Sequence, residues 1–443
     1  MDVILQDWQI YPILDENLFY TSRIPKANSM TKITRSKLSV MMFLEFFIWG
    51  AWFVTLGTYL AQNLNASGLE TANVFSTQSW GAIIAPFIIG LIADRFFNAE
   101  RILGVLHLVG AVLMYQLYQA PDVGVFYPFA FAYMVLYMPT LALVNSVSFR
   151  QMKDPGKEFS GIRVWGTIGW IVAGLSISYV FRWDSGEGLL RNTFLMASVA
   201  SAVLGLFSFL LPKTPPVRRD ISEKQSISSI LGLDAIKLLN DRNFLVFFLS
   251  SVLICIPLAF YYQNANLFLT EVGLENPTGK MTIGQVSEAF FLLLLPVFFT
   301  RFGFKKTIML GMLAWVLRYA LFAYGNAGEL TFMLITGIAL HGICFDFFFV
   351  SGQIYTDAKA GAKYKSAAQG LITLATYGVG QLIGFWAAGY VTEHYAGLRN
   401  GDVGQFWQQV WLVPALIALG VMVLFVLLFK DDGVGAKTEI TNG

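Results

Sequence analysis

The sequence predicts an all-α integral membrane protein of twelve transmembrane helices, arranged as two six-helix halves. Three observations carry that prediction. Hydrophobic residues make up 56% of the 443 and charged residues only 13%, where soluble domains average about 45–50% and about 25%. The apolar residues come in continuous runs of about 20, the length a helix needs to cross a bilayer, and not in the alternating segments of a membrane β-barrel. One polar stretch, near 212–242, separates six runs from six.

In chain order the spans lie near 38–62, 74–97, 101–118, 125–149, 162–182, 191–211, 243–269, 282–300, 305–325, 329–356, 366–392 and 405–430. The expected domains are an N-terminal extension (1–35), a first bundle (36–211), a central loop (212–242), a second bundle (243–430) and a tail (431–443). Within the central loop, apolar residues from Ile227 to Leu239 recur at three and four, which suits a helix lying along the inner leaflet. Residues 1–29 show no charged segment followed by an apolar core, so they do not read as a signal peptide. They are expected to be a cytoplasmic tail or a misread start before Met30.

Lysine and arginine set the orientation. With the N-terminus inside, 24 of the 30 fall on inner segments, four (Arg182, Arg191, Lys280 and Arg399) lie outside, and Arg163 and Arg318 lie within spans. Both termini and the central loop are therefore expected in the cytoplasm. A net charge of +2 argues against a nucleic-acid partner, which needs a concentrated basic face. Cys255 and Cys344 sit in apolar runs and indicate neither a disulfide framework nor a zinc site. The three histidines are scattered, and no catalytic, metal or phosphate-binding motif occurs. Neither an enzyme nor a cofactor is expected, and with no soluble nucleotide-binding domain in the sequence any energy used must come from an ion gradient or from a solute's own.

Ionisable residues deep in spans are expensive and mark function by default. Four stand out: Glu45, Arg163, Glu288 and Asp346. Thr167 and Trp170 follow Arg163 at i+4 and i+7, so the three share one helix face. Gln285 precedes Glu288 by three, and His341, Phe345 and Asp346 lie within two turns. Glu45, Trp49 and Trp52 form a stripe on the first span. Polar groups flanked by aromatics suit a cavity for a planar, hydroxyl-rich solute. The same residues also admit a plainer reading, buried pairs such as Arg163 with Glu288 that set helix packing. His107 reads as a satisfied packing residue, and Arg318 as one that snorkels to the interface. At the inner end of the second span, G-L-I-A-D-R places Asp94 and Arg95 where they can latch one conformation, or simply obey the positive-inside rule. A second basic turn, R-F-G-F-K-K (301–306), stands at the corresponding place in the other half, which suggests duplicated six-helix units.

The G-x-x-x-D-R string resembles the helix 2–3 signature of the major facilitator superfamily. Seven further strings resemble its nucleoside:proton symporter family, and within it the YegT-type branch: F-I-W-G-A-W-F-V (47–54), Y-M-P-T-L-A-L-V-N-S (137–146), I-R-V-W-G-T-I-G-W (162–170), L-G-L-D-A (231–235), G-Q-V-S-E (284–288), L-R-Y-A-L-F-A-Y-G (317–325) and F-D-F-F (345–348). The resemblance implies a major facilitator fold and uptake of nucleosides with protons across a bacterial inner membrane, by a protein expected to act as a monomer. It implies substrate contacts at Arg163, Thr167, Trp170, Gln285 and Glu288 and at the F-D pair, Phe345 and Asp346. Because burial raises a carboxylate's proton affinity and a nearby cation lowers it, the proton is expected on Asp346, with Glu45 as second choice. The chain departs from the family at several of these places. The family's Gln and Asn on the seventh span fall on Ala259 and Tyr262, with Asn266 a turn further on. His341 stands where a Tyr is usual, and Glu45 replaces a Gln. A proton-linked carrier of a sugar or another hydroxylated metabolite is the alternative within transporters. A nucleoside sensor is the alternative outside them, though no sizeable cytoplasmic domain is present to signal.

Overall fold

The computed structural model describes residues 30–88, 97–186, 188–215, 233–399 and 401–430. Twelve long helical passages occur among them. The first half comprises α1 (Lys32–Asn63), α2 (Gly68–Ile88), α3 (Ala99–Gln119), α4 (Val123–Phe149), α5 (Ser160–Val180) and α6 (Leu189–Ser208). The second comprises α7 (Arg242–Glu271), α8 (277–302), α9 (304–324), α10 (Thr331–Gly361), α11 (Ala367–His394) and α12 (Val403–Leu428). Residues 89–96, with the expected latch Asp94 and Arg95, lie outside the described residues, as do most of the central loop and both termini.

Short polar residues start the helices. Thr31, Asp122, Asp241 and Asp402 each accept a hydrogen bond from a backbone N–H three residues on, at 3.1, 2.9, 3.0 and 2.9 Å, which satisfies a donor that a helix N-terminus leaves free. Between α8 and α9 the chain turns without a loop, because Gly303 takes φ 72° and ψ 174°, a conformation cheap only for glycine. Gly361 (φ 62°) makes the corresponding break between α10 and α11. Of the expected interfacial helix, the part described is a 3₁₀ turn, Leu233–Asn240. Its Ala235 packs with Ala360, Ala368 and Leu371, so it rests on the ends of α10 and α11.

Packing within the halves repeats. In the first, α1 packs on α5 and α6, α2 on α4, and α3 on α6; in the second, α7 packs on α11 and α12, α8 on α10, and α9 on α12. This is the duplication that the paired basic turns suggest. Each half has its own aromatic core. Trp52, Tyr133 and Phe194 meet in the first, with Trp52 5.6 and 5.9 Å from the other two rings. Tyr319 stacks on Trp411 at 5.5 Å in the second. Outward-facing aliphatics such as Leu206 and Leu210, or Leu416 and Leu427, are 61–73% exposed, as a lipid-facing surface requires. Cys255 and Cys344 are both free thiols.

Candidate functional site

Small residues let α5 press against α1. A Cβ added at Gly169 would stand 2.2 Å from the Phe43 carbonyl oxygen, so only glycine permits the approach. Arg163, one turn and a half earlier, is thereby buried with its guanidinium 4.0 Å above the Phe46 ring, a cation–π contact. Trp170, two turns along the same face, meets Trp49 edge-on at 5.6 Å. Thr167 lies half-buried between them in sequence.

From the second half, α8 brings Gln285 and Glu288 and α10 brings His341. These helices touch at Gly342, where an added Cβ would lie 2.5 Å from the Ser287 carbonyl, and Ser287 Oγ donates to the Ala339 carbonyl. His341 Nε2 stands 3.6 Å from Glu288 Oε2, and its Nδ1 lies 3.1 Å from Arg318 Nη1. A guanidinium only donates, so Nδ1 accepts and the ring hydrogen sits on Nε2, aimed at Glu288. Arg318 is further held by the Tyr261 ring, 3.4 Å from its Cζ, and Tyr261 stacks on His341 at 5.5 Å. The expectation that Arg318 snorkels is therefore wrong. It is fully buried, because Tyr261 and His341 give its charge a face and an acceptor inside the bundle.

Between the halves these helices leave a cavity lined by Phe53, Trp170, Tyr261, Tyr262, Thr282 and Gln285, among others. Phe345 follows His341 by one turn, with ring centres 5.9 Å apart. Asp346 then opens a π-helical segment, Asp346–Val350, a distortion frequent at functional positions. Its carboxyl is fully buried, and neither oxygen has a hydrogen-bond partner among the described residues. Of the expected residues, Trp170, Tyr262 and Gln285 line that cavity, while Glu288 stands 3.6 Å from His341, with Phe345 a turn beyond it.

Two expected residues are engaged by other partners. Asn266 bridges the halves on the face opposite both termini: it accepts from Thr58 Oγ1 at 2.6 Å and donates at 3.0 Å to Thr278 Oγ1, part of the cavity lining. Glu45 faces the interior of the first half, where it meets His107 at 2.8 Å. Sequence reasoning missed Arg318 and Tyr261 as parts of the site. An arginine within a span was visible, but its acceptor lies on α10 and its aromatic platform on α7.

The halves are closed over the cavity on that same face. Besides Asn266, Gly68 N donates to Glu393 Oε2 at 2.9 Å, Gly279 N to Ser178 Oγ at 2.7 Å, and Thr278 N to Asp184 Oδ2 at 3.2 Å. Deeper in, Gln78 and Gln381 pair at 3.1 Å. Backbones approach closely here too: a Cβ on Gly57 would stand 2.1 Å from the Gln263 carbonyl oxygen. Gly57→Ala is accordingly expected to disfavour this closed arrangement by about 1–3 kcal/mol, the usual cost of overpacking. Spin labels on the facing ends of α1 and α7 should show a longer distance population that the unmodified chain lacks. An unchanged distance distribution would mean that the close approach does not hold the face shut.

The family model described as nucleoside H+ symporter matches residues 32–433. YegT of Escherichia coli K12 is 43% identical over 406 residues, covering 90% of this chain and 94% of its own. The nucleoside permease NupG of the same organism is 31% identical over 417 residues, covering 91% and 97%. The crystal structure of NupG superposes with a TM-score of 0.80 at 30% identity, over 90% of this chain and 99% of that one. The POT family transporter PepTSo, at 16% identity and a TM-score of 0.68, shares the fold alone.

Proposed function

The chain belongs to the nucleoside H+ symporter family, so it is a multi-pass membrane carrier that moves nucleosides with protons, and we propose that it works by alternating access around the cavity between its halves. What supports the site is that Trp170 from α5, Tyr262 from α7 and Gln285 from α8 line that cavity, with Arg163 on the helix face of Trp170 and Glu288 3.6 Å from His341. Arg163 and Glu288 would hold ribose hydroxyls, one donating and the other accepting, while Trp170, Tyr262 and Phe345 supply faces for the base. Thr167 would add a hydroxyl on the same helix face as Arg163. Asn266 would reach substrate only in a conformation in which its bridge to Thr58 is broken.

The proton would be carried by Asp346. No hydrogen bond among the described residues has to break for that carboxyl to gain or lose a proton. Asp346 also interacts electrostatically with Glu288, which links proton occupancy to the group that holds substrate. The 24-to-4 distribution of cations supports an orientation with both termini in the cytoplasm of a bacterial inner membrane. The closed face then looks outward. The protein would act as a monomer, and Asp94 with Arg95 would latch the cytoplasmic side when it closes.

Counterflow in proteoliposomes tests the reading. Unlabelled nucleosides should displace labelled nucleoside, whereas free nucleobases and 2′,3′-dideoxynucleosides should compete poorly. A site built to hydrogen-bond hydroxyls rejects analogues that lack them by large factors, because its own buried groups go unpaired. Equal displacement by free bases would remove the ribose contacts from Arg163 and Glu288, and displacement by sugars instead would make the protein a carrier of another hydroxylated solute.

A further inference from the structure

The first half holds a titratable pair that the central cavity does not use. Glu45 on α1 and His107 on α3 are 0% and 2% exposed, and their Oε2 and Nε2 lie 2.8 Å apart. Around them stand Thr140 and Tyr137 from α4 and Ser201 from α6.

The hydrogens in this network can be counted. Ser201 Oγ lies 2.9 Å from the His107 carbonyl oxygen and 3.1 Å from His107 Nδ1. A hydroxyl has one hydrogen, so both contacts hold together only when Ser201 donates to the carbonyl and Nδ1 donates to Ser201. His107 Nε2 then needs one hydrogen between itself and Glu45. On the other carboxyl oxygen, Thr140 Oγ1 lies 2.6 Å from Glu45 Oε1 and 2.6 Å from the Tyr137 carbonyl oxygen. If Thr140 gives its hydrogen to Glu45, that oxygen is unprotonated. If it gives the hydrogen to the Tyr137 carbonyl, its own oxygen can accept from a protonated Oε1. The network therefore has two bonded forms that differ by one proton, and only a hydroxyl hydrogen turns between them.

We propose that Glu45 and His107 form a second proton-binding site of this carrier, separate from Asp346 and coupled to the nucleoside site through Arg163. The proposal rests on the reading of the chain as a proton-coupled nucleoside carrier. The titratable and charged groups near the pair are Tyr133 and Tyr137 on α4 and, next to Tyr137, Arg163 on α5. Glu45 directly precedes Phe46, the ring beneath the Arg163 guanidinium. A proton added to the pair leaves a net positive charge on groups that adjoin Phe46, the ring under the Arg163 guanidinium, and like charges in a low-dielectric interior repel. The guanidinium is then driven toward Glu288 and a bound nucleoside; release of the proton reverses the bias. Glutamine, which the family resemblance expects at position 45, could keep the hydrogen bonds but could not titrate, so this site distinguishes the chain from relatives with that residue.

The test is the coupling ratio in proteoliposomes, taken from the proton gradient at which a known nucleoside gradient is just balanced. That balance point does not depend on how much protein is active. The full chain is expected to move one more proton per nucleoside than Glu45→Gln does. Glu45→Gln combined with His107→Gln, an uncharged amide pair, should show the same loss and serves if the single variant fails to fold. An unchanged ratio in either variant overturns the proposal. If the unmodified chain moved no nucleoside at all, the carrier reading would fail instead, which separates the two failures.

Discussion

Asp346→Asn is expected to exchange nucleoside for nucleoside across a liposome membrane yet to accumulate it far less, under an inward proton gradient, than the unmodified chain does. Asparagine keeps the shape of the carboxylic acid and mimics its permanently protonated form. Asp346 is fully buried with no hydrogen-bond partner on either oxygen among the described residues, so an uncharged amide replaces no contact seen here. It lies one residue beyond Phe345, turned about 100° round the helix. Exchange requires only that the loaded carrier reorient, whereas accumulation requires a group that alternately takes and gives the proton. Uptake measured with and without the pH gradient separates the two. Normal pH-driven accumulation by Asp346→Asn would make the residue structural and leave the Glu45–His107 pair as the proton site to test.

Glu288→Gln should instead weaken binding itself. The carboxylate faces His341 Nε2 at 3.6 Å and interacts electrostatically with Arg163, so in the proposed site it would both hold substrate and balance the cation that does. Losing one hydrogen bond to a charged group costs about 1.5–3 kcal/mol, or roughly 10- to 150-fold in affinity. Calorimetric titration with nucleoside should show that loss in Glu288→Gln and a much smaller one in Asp346→Asn. If the two variants bound nucleoside equally well, the division of labour between Glu288 and Asp346 would be wrong.

Much of this was legible before any coordinates. Span length and the 24-to-4 split of cations depend on the bilayer, which acts on each segment locally. The twelve passages and the short turn at 301–306 therefore appear where the hydropathy pattern puts them. The face shared by Arg163, Thr167 and Trp170 also follows from helical period alone. What needed three dimensions was partnership between helices distant in sequence. Arg318 looked free to snorkel because its acceptor His341 lies 23 residues away and its platform Tyr261 on another helix. His107 looked like packing because Glu45, 62 residues earlier, could have faced any neighbour. Asn266 lay on a plausible helix face for substrate, yet Thr58 and Thr278 engage it in the bridge between the halves. Helix period fixes angle about one axis; it carries no information about which second helix arrives there.

The most direct measurement is uptake of a panel of labelled nucleosides by the purified chain in proteoliposomes under an imposed inward proton gradient. At least one nucleoside should accumulate above its external concentration, and a protonophore should collapse that accumulation to equilibrium. Uptake that reached the same level with and without the gradient would contradict the account.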